Sequence, residues 1–126
     1  MRIFYSETGV EPSDCLLTAE GMAFLVPPGM VGRAVGKKGI NVHKLRAKTN
    51  RNIYIFEGSG SEEEFIRKSL NVSSPMLQEA EKNNKKVIYV KLNTSDRYSM
   101  KRGAGIMFAK ELFRRVFGKE MKIQSR

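Results

Sequence analysis

Tryptophan is absent from the 126 residues of this sequence, and cysteine and histidine occur once each, as Cys15 and His43. A single cysteine excludes a disulfide within the chain and a zinc site built from cysteines, so we expect Cys15 to be a buried strand residue. His43 stands alone in a basic stretch, where a partly exposed helix position is favoured over a metal ligand or a catalytic base. The sequence therefore predicts no metal and no other cofactor.

Long hydrophobic runs are also lacking. The longest, at residues 22–28 and 87–90, are far too short to cross a bilayer, and the N-terminal residues contain no signal-peptide hydrophobic region. With 40% hydrophobic and 29% charged residues, the composition is that of a chain that folds. We expect a soluble, cytoplasmic protein with one domain of ordinary size or two small domains that pack together.

Acidic residues are scarce relative to basic ones. Thirteen Asp and Glu against 23 Lys and Arg give a formal net charge of +10 and a pI near 10. This balance predicts a polyanionic partner, with nucleic acid as the first candidate. An anionic membrane surface is the weaker alternative, because it requires a basic amphipathic helix with a wide apolar face and tryptophan is missing.

The most informative stretch is residues 31–51, VGRAVGKKGINVHKLRAKTNR. At its centre is the GKKG loop, Gly36-Lys37-Lys38-Gly39, whose two glycines let the backbone reverse between helices and come close to a ligand. Between residues 33 and 51 there are seven basic side chains and no acidic one, so we expect a polyanion here. The seven are Arg33, Lys37, Lys38, Lys44, Arg46, Lys48 and Arg51.

Two nucleotide-binding glycine loops are excluded by their spacing. A P-loop reads GxxxxGK and continues with a hydroxyl residue that binds magnesium. Counting back from Gly36 gives Val31 where the first glycine is needed, and Lys38 stands where the hydroxyl should be. The dinucleotide pattern GxGxxG fails because position 34 is Ala34. We therefore expect no small-molecule substrate.

Hydrophobic periodicity and turn residues predict the same succession of elements in both halves of the chain. In the first half we expect a helical turn at 3–7, strands at 13–18 and 22–26, helices at 30–35 and 40–49, and a strand at 52–57. A trailing helix at 62–70 follows, and after residues 71–75 the pattern starts again, with strands at 76–81 and 86–92, a helix start at 94–96, a helix at 104–117 and a strand at 121–124.

Two of these helices carry more specific predictions. Ser61 followed by Glu64 is a capping box, so the acidic residues 62–64 are interpreted as helix-start residues, with a metal or catalytic cluster as the alternative. In the helix at 104–117 the spacing predicts a buried apolar stripe. The stripe comprises Ile106, Ala109, Phe113 and Val116 or Phe117.

Residues 34–42, AVGKKGINV, resemble the signature of KH domains, and residues 29–39 resemble the first KH domain of NusA-type transcription factors. Residues 63–70 and 109–118 are similar to later helices of that family. The resemblance implies an α+β fold of two tandem type II KH domains, each with the order α-β-β-α-α-β and a small three-stranded sheet packed by helices. It is closest to the short, archaeal-type form of the family.

We place the first KH domain, with the intact GKKG loop and a trailing helix, at residues 1–72 and the second at 73–126. Where the second domain would carry its own GxxG loop, the chain reads Met100-Lys101-Arg102-Gly103, so the first glycine is missing. A methionine at that position obstructs close approach of the backbone, although the positive charges remain.

The resemblance implies that GxxG loops contact a sugar-phosphate backbone beside an apolar groove that holds about four nucleotides. Gly36 and Gly39 would allow the approach, and Lys37 and Lys38 would meet phosphates. The remaining candidate RNA-binding residues are the cations Arg33, Lys44, Lys48 and Arg51, the apolar Val35, Ile40 and Val42, and, in the second half, Lys101, Arg102 and Gly103. For the apolar residues, a place in the core is the competing interpretation.

The predicted function is that of a NusA-like factor that binds single-stranded RNA during transcription elongation or termination, with RNA polymerase as a further candidate partner. The alternative is a KH-type adaptor that acts mainly through protein contacts with RNA polymerase or a ribosomal assembly. No enzyme is predicted, because the sequence shows no His/Cys metal spacing and no nucleophile with a partner.

Overall fold

The computed structural model describes residues 2–100 and 103–124. The chain divides into two compact units, residues 1–59 and 60–126, and each contains one three-stranded sheet with helices. The protein is thus of mixed α+β architecture, as predicted.

The first unit follows the order α-β-β-α-α-β. Its elements are α1 (Arg2–Thr8), β1 (Asp14–Thr18), β2 (Gly21–Val26), α2 (Val31–Val35), α3 (Ile40–Thr49) and β3 (Ile53–Glu57). The central strand β2 pairs antiparallel with β1 and parallel with β3. Every residue of β2 is buried, as expected of an apolar strand at the centre of a sheet.

The core of the first unit forms where the helices meet the sheet. The Phe4 ring of α1 stacks on Phe24 of β2 with 4.1 Å between ring centroids, and Leu45 of α3 is fully buried in the same cluster. Cys15 is only half-buried on the edge strand β1, so the prediction of a buried cysteine was wrong. An edge strand has a neighbour on one side only, which leaves its side chains more open to water.

The second unit repeats this order. Its elements are α4 (Glu62–Leu70), β4 (Met76–Lys82), β5 (Lys85–Lys91), α5 (Thr94–Ser99), α6 (Ala104–Phe117) and β6 (Glu120–Gln124). Strand β5 is central, antiparallel to β4 and parallel to β6. The turn between β4 and β5 is formed by Asn83 and Asn84, both with positive φ, which is the geometry of a tight hairpin.

Helix α4 begins as the capping box predicts, because the Ser61 hydroxyl accepts a 3.2 Å hydrogen bond from the N–H of Glu64. Its Phe65 ring lies 6.1 Å from Phe113 and 5.9 Å from Phe117 of α6, measured between centroids. This aromatic contact groups α4 with the second compact unit, whereas the domain division expected from the sequence, at 72/73, joined it to the first.

The buried stripe of α6 is wider than predicted. Ala109 and Phe113 are buried as expected, but so are Phe108 and Leu112, while Ile106 is only half-buried and Val116 is 42% exposed. The buried positions recur at intervals of three and four residues, which is the pattern of a helix with one buried face.

Candidate nucleic-acid interface

The GKKG loop is a tight reversal between α2 and α3. The N–H of Gly36 donates to the carbonyl oxygen of Gly32 at 2.9 Å, and the N–H of Gly39 donates to that of Gly36 at 3.0 Å. Gly36 has a φ of +81° and Gly39 a φ of +73°, values that residues with a Cβ rarely adopt. The backbone of the loop therefore favours glycine at both positions.

Gly36 also occupies a confined position. A Cβ added there would lie 2.9 Å from Cγ and Nδ2 of Asn41 and 3.0 Å from Cγ2 of Ile40. The same Asn41 side chain donates a hydrogen bond from Nδ2 to the carbonyl oxygen of Arg33 at 3.2 Å. Asn41 therefore links the first turn of α3 to α2 across the loop. Sequence reasoning missed this role, although Asn is a residue type that readily bonds nearby backbone carbonyls.

The two lysines of the loop are both exposed. Lys38 takes the left-handed conformation, with φ 56° and ψ 27°, which costs a residue other than glycine roughly 1 kcal/mol or more. The surrounding bonds from Gly36 and Gly39 hold the turn in this shape. Two adjacent ammonium groups are thereby presented to solvent.

Helix α3 adds to the positive potential of the loop. It begins at Ile40 with Gly39 as N-cap, a residue with no side chain to cap the helix, and the N–H of Ile40 donates to the carbonyl oxygen of Lys37. A helix N-terminus carries about half a positive charge, and its unbonded N–H groups suit an anion. With Lys37 and Lys38 immediately before it, this end of α3 favours phosphate.

The remaining predicted cations differ in their exposure and in the residues that they contact. Lys44 is exposed on α3, and Arg51 is exposed just beyond its end. Arg33 reaches toward the end of α1, because its Nε and one terminal nitrogen lie 3.8 Å from where a Cβ of Gly9 would stand. Lys44 and Arg51 thus place two further exposed cations on α3 and just beyond its end.

Lys48 is engaged in an ion pair with Glu7 of α1. Its hydrogen bond is the largest cause that lowers the pKa of the Glu7 carboxyl, and the charge of Lys44 contributes further. The Lys48 side chain is still 55% exposed, against 11% for Glu7. Lys48 therefore holds α1 to α3 and shares its charge with a carboxylate, a contact between residues 41 positions apart in sequence.

The predicted apolar site residues differ in how deeply they are buried. Val42 packs against the core cluster of the first unit, and Val35 is half-buried at the end of α2. Ile40 is 49% exposed beside the loop, and Met30, which sequence reasoning did not single out, is 36% exposed just before α2. Ile40 and Met30 therefore offer more apolar surface to a nucleobase than Val42 does.

The second loop has a different backbone. Met100, the counterpart of Gly36, has φ −63° and ψ 142°, and Gly103 has φ 67° and ψ −137°, far from the ψ of 21° at Gly39. Lys101 and Arg102, two of the predicted site residues, lie outside the described residues. The geometry that defines the GKKG loop is therefore not repeated at Met100 and Gly103.

Asp96 is a buried carboxylate in α5 that sequence reasoning took only as part of a helix start. One of its oxygens accepts bonds from the N–H and hydroxyl of Ser73, both at 3.0 Å, and the other accepts from the N–H of Ser74 at 2.8 Å. These bonds, led by the backbone bond from Ser73, lower the pKa of the Asp96 carboxyl. Its charge is used to fix the segment before β4.

Within residues 2–100 and 103–124, no group of three or more His, Cys, Asp or Glu side chains is placed to hold a metal ion. In the same residues, no helix has the length and apolar character needed to cross a membrane. What the arrangement around GKKG offers chemically is charge attraction and hydrogen bonding to a polyanion.

Comparison with known proteins agrees with this geometry. Residues 21–69 match the family model described as KH domain. The chain is 27% identical over 117 residues to the probable transcription termination protein NusA of Halobacterium salinarum, covering 91% of this chain and 84% of that protein. It is 40% identical over 63 residues to the protein of the same name from Methanocaldococcus jannaschii, covering 50% of this chain and 33% of that protein.

A solved structure is similar over nearly the whole chain. The crystal structure of APE1850 matches with a TM-score of 0.81 and 26% sequence identity, covering 98% of this chain and 94% of that one. The architecture described above is therefore one that also occurs in an experimentally determined protein.

Proposed function

Because the chain is a NusA-like protein that contains a KH domain, we propose that it binds single-stranded RNA through the GKKG loop and acts in transcription elongation or termination. The geometry of the loop is the observation that carries this proposal. Two glycines with positive φ, two exposed lysines and the uncapped start of α3 converge on one surface. RNA phosphate is the polyanion that KH loops of this kind contact.

The bound strand would follow the basic surface of the first unit. Lys37 and Lys38 would contact one or two phosphates, and Lys44 and Arg51 would attract the strand further along α3. Ile40 and Met30 would meet a nucleobase beside the loop. Because these contacts are mainly electrostatic, affinity should fall with salt, with a slope of about −0.7 per phosphate neutralised on a single strand.

We further propose that both units are type II KH domains in tandem. Support comes from the order α-β-β-α-α-β in each unit and from the same mixed pairing in each sheet. In this arrangement α4 opens the second domain, because its aromatic partners are in α6. The boundary then falls between residues 59 and 60.

RNA polymerase is the protein partner we propose, on the ground that relatives carry the name of transcription termination proteins. The backbone of the second loop supports an adaptor role as the alternative, because Met100 takes a conformation unlike that of Gly36. An adaptor that works through protein contacts would not depend on the GKKG lysines. We infer no enzymatic activity, and purified protein with magnesium is expected to leave RNA intact.

Fluorescence anisotropy with a labelled five-nucleotide RNA tests the proposal. The Lys37→Asp/Lys38→Asp variant should lose most of its affinity, whereas a matched control, Arg2→Asp/Lys86→Asp, changes the net charge equally at exposed positions outside the loop and should lose much less. Circular dichroism checks that both variants fold. Equal affinity in the two variants, or no binding by the native protein, would refute RNA recognition by GKKG and favour the adaptor.

A further inference from the structure

The sheet of the second unit has two faces that differ in character. Register places the residues of β4, β5 and β6 in cross-strand rows, and the members of a row share a face. On one face Ile88, Val90 and Met121 are buried. The opposite face, here called the open face, consists of Met76, Gln78, Ala80, Lys82, Lys85, Val87, Tyr89, Lys91, Glu120, Lys122 and Gln124.

Most side chains of the open face are exposed to solvent, whereas Val87 near its centre is buried. Met76 is 69% exposed, and all the lysines and glutamines of the face are exposed as well. Tyr89 is half-buried in the middle row, between Gln78 on β4 and Lys122 on β6. A broad polar surface of this kind has room for an extended ligand.

The charge of the open face is strongly positive. It carries Lys82, Lys85, Lys91 and Lys122 against the single acid Glu120. Lys122 pairs with Glu120 at 3.6 Å. The other three lysines form no ion pair with any described residue, so their charges are available to a ligand. Lys85 and Lys91 are six residues apart on β5, which is roughly 20 Å along a strand.

Two depressions on the open face flank the central row. One, of about 330 Å³, is lined mainly by Lys82, Lys85 and Lys122 together with Val87 and Glu120. The other, of about 290 Å³, is lined by Met76, Gln78, Tyr89, Lys91 and Gln124 among others. Both depressions contain lysine, and the second combines it with Met76, the Tyr89 ring and the amides of Gln78 and Gln124.

We propose that the open face is a second binding surface for single-stranded RNA, used by the second unit in place of a GxxG loop. The proposal rests on the RNA-binding function proposed above and adds a site to it. Lysines at the two ends would contact phosphates several nucleotides apart, the Tyr89 ring would stack on a base, and Gln78 and Gln124 would bond base edges. An acidic protein segment would satisfy the lysines but would leave the tyrosine and the amides without a role.

The test compares two neighbouring lysines of β5 in the full chain. Lys85 lies on the open face and Lys86 on the other, and both are exposed, so Lys85→Glu and Lys86→Glu change the net charge identically. Anisotropy is measured with a labelled 15-nucleotide RNA over several salt concentrations. We expect Lys85→Glu to weaken binding at least about threefold more than Lys86→Glu, and Lys85→Glu/Lys91→Glu to reduce the salt slope by about 1.4.

Substitution of Tyr89 provides an independent test. Tyr89→Ala should weaken binding by at least about fivefold through lost stacking, whereas Tyr89→Phe, which keeps the ring, should bind nearly as the native protein does. If Tyr89→Ala does not fold, the lysine comparison still decides the question.

The outcomes separate this inference from the function on which it rests. If Lys85→Glu and Lys86→Glu bind equally while Lys37→Asp/Lys38→Asp does not bind, the open face is not an RNA surface and the GKKG proposal stands. Equal binding by every variant overturns both proposals. A labelled acidic peptide serves as a second probe. If Lys85→Glu still binds RNA but no longer binds a peptide that the native protein binds, the face belongs to a protein partner and the inference is overturned.

Discussion

The Asn41 side chain, in the first turn of α3, donates a hydrogen bond from Nδ2 to the Arg33 carbonyl oxygen of α2 at 3.2 Å. This bond spans the GKKG loop and joins the two helices that bracket it. The amide also fills the space next to Gly36, where a Cβ would lie 2.9 Å from it. The shape of the loop thus depends on a residue that is neither basic nor a glycine.

Replacing Asn41 with alanine should loosen the loop without unfolding the protein. A net loss of about 0.5–1.5 kcal/mol is expected for one hydrogen bond, which corresponds to roughly a two- to tenfold loss of RNA affinity if it acts on the bound loop. Anisotropy with a five-nucleotide RNA measures the effect. Asn52→Ala, at an exposed position outside the loop, is the control, and an equal loss in both variants would contradict the role of Asn41.

The two loop glycines should differ in their tolerance of alanine. Gly39 is left-handed helical, which costs an alanine about 1 kcal/mol, whereas Gly36, with ψ 166°, lies in a region almost restricted to glycine. Gly36 also meets atoms at 2.9 Å, but the nearest atoms to a Cβ at Gly39 are 3.8 Å away. Gly36→Ala should therefore lower the midpoint of thermal unfolding more than Gly39→Ala does. Equal midpoints would show that the Asn41 side chain moves aside without cost.

Removing the charge of Glu7 should strengthen RNA binding. In Glu7→Gln, Lys48 loses its carboxylate partner and its charge becomes available to phosphate. We expect a modest gain in RNA affinity, measured by fluorescence anisotropy. The control is Glu11→Gln, which removes an exposed acid of the same unit. Unchanged affinity in Glu7→Gln would exclude Lys48 from the RNA surface.

The same ion pair predicts a pH dependence of stability. Because the pKa of Glu7 is lowered from 4.5 in the folded protein, its contribution is fully present above about pH 4.5 and is lost as the pH falls through the lowered value. Native protein should therefore be more stable than Glu7→Gln at neutral pH, and the difference should vanish in acid. Thermal unfolding between pH 2 and pH 7 measures it, and a constant difference would contradict the ion pair.

Asp96 should matter for stability and leave GKKG binding intact. Asp96→Asn replaces one acceptor oxygen by an NH₂ group that faces donors of Ser73 and Ser74, so the unfolding midpoint should fall by several degrees at pH 7. Since the pKa of Asp96 is lowered from 3.8, the difference should shrink as the pH falls below that value. Glu63→Gln, an exposed acid in α4, should show no such fall.

The order of helices and strands could be predicted because it depends on local signals. Turn glycines and prolines, alternation of apolar residues and the capping box at Ser61 all act within a few residues, and the predicted bounds of α3, α4 and α6 coincide with those observed. The GKKG loop was predictable for the same reason, since its spacing and charge lie within one short stretch.

Contacts between distant residues could not be predicted in this way. The apolar side of α4 indicates that the helix is buried, but periodicity carries no information about whether its partner is β3 before it or α6 after it. The pairing of Glu7 with Lys48 and the bonds from Ser73 to Asp96 also require the fold. The open face of the second sheet became visible only when the register of β4, β5 and β6 was known.

The ring contacts of Phe65 with Phe113 and Phe117 decide how the protein can be cut into recombinant fragments. A fragment that stops after residue 72 contains α4 but lacks α6, so the Phe65 side chain becomes exposed to water. The complementary fragment keeps Phe113 and Phe117 without their cover. Precipitation of either piece would report on uncovered aromatic surface and would say nothing about the ability of that half to hold RNA.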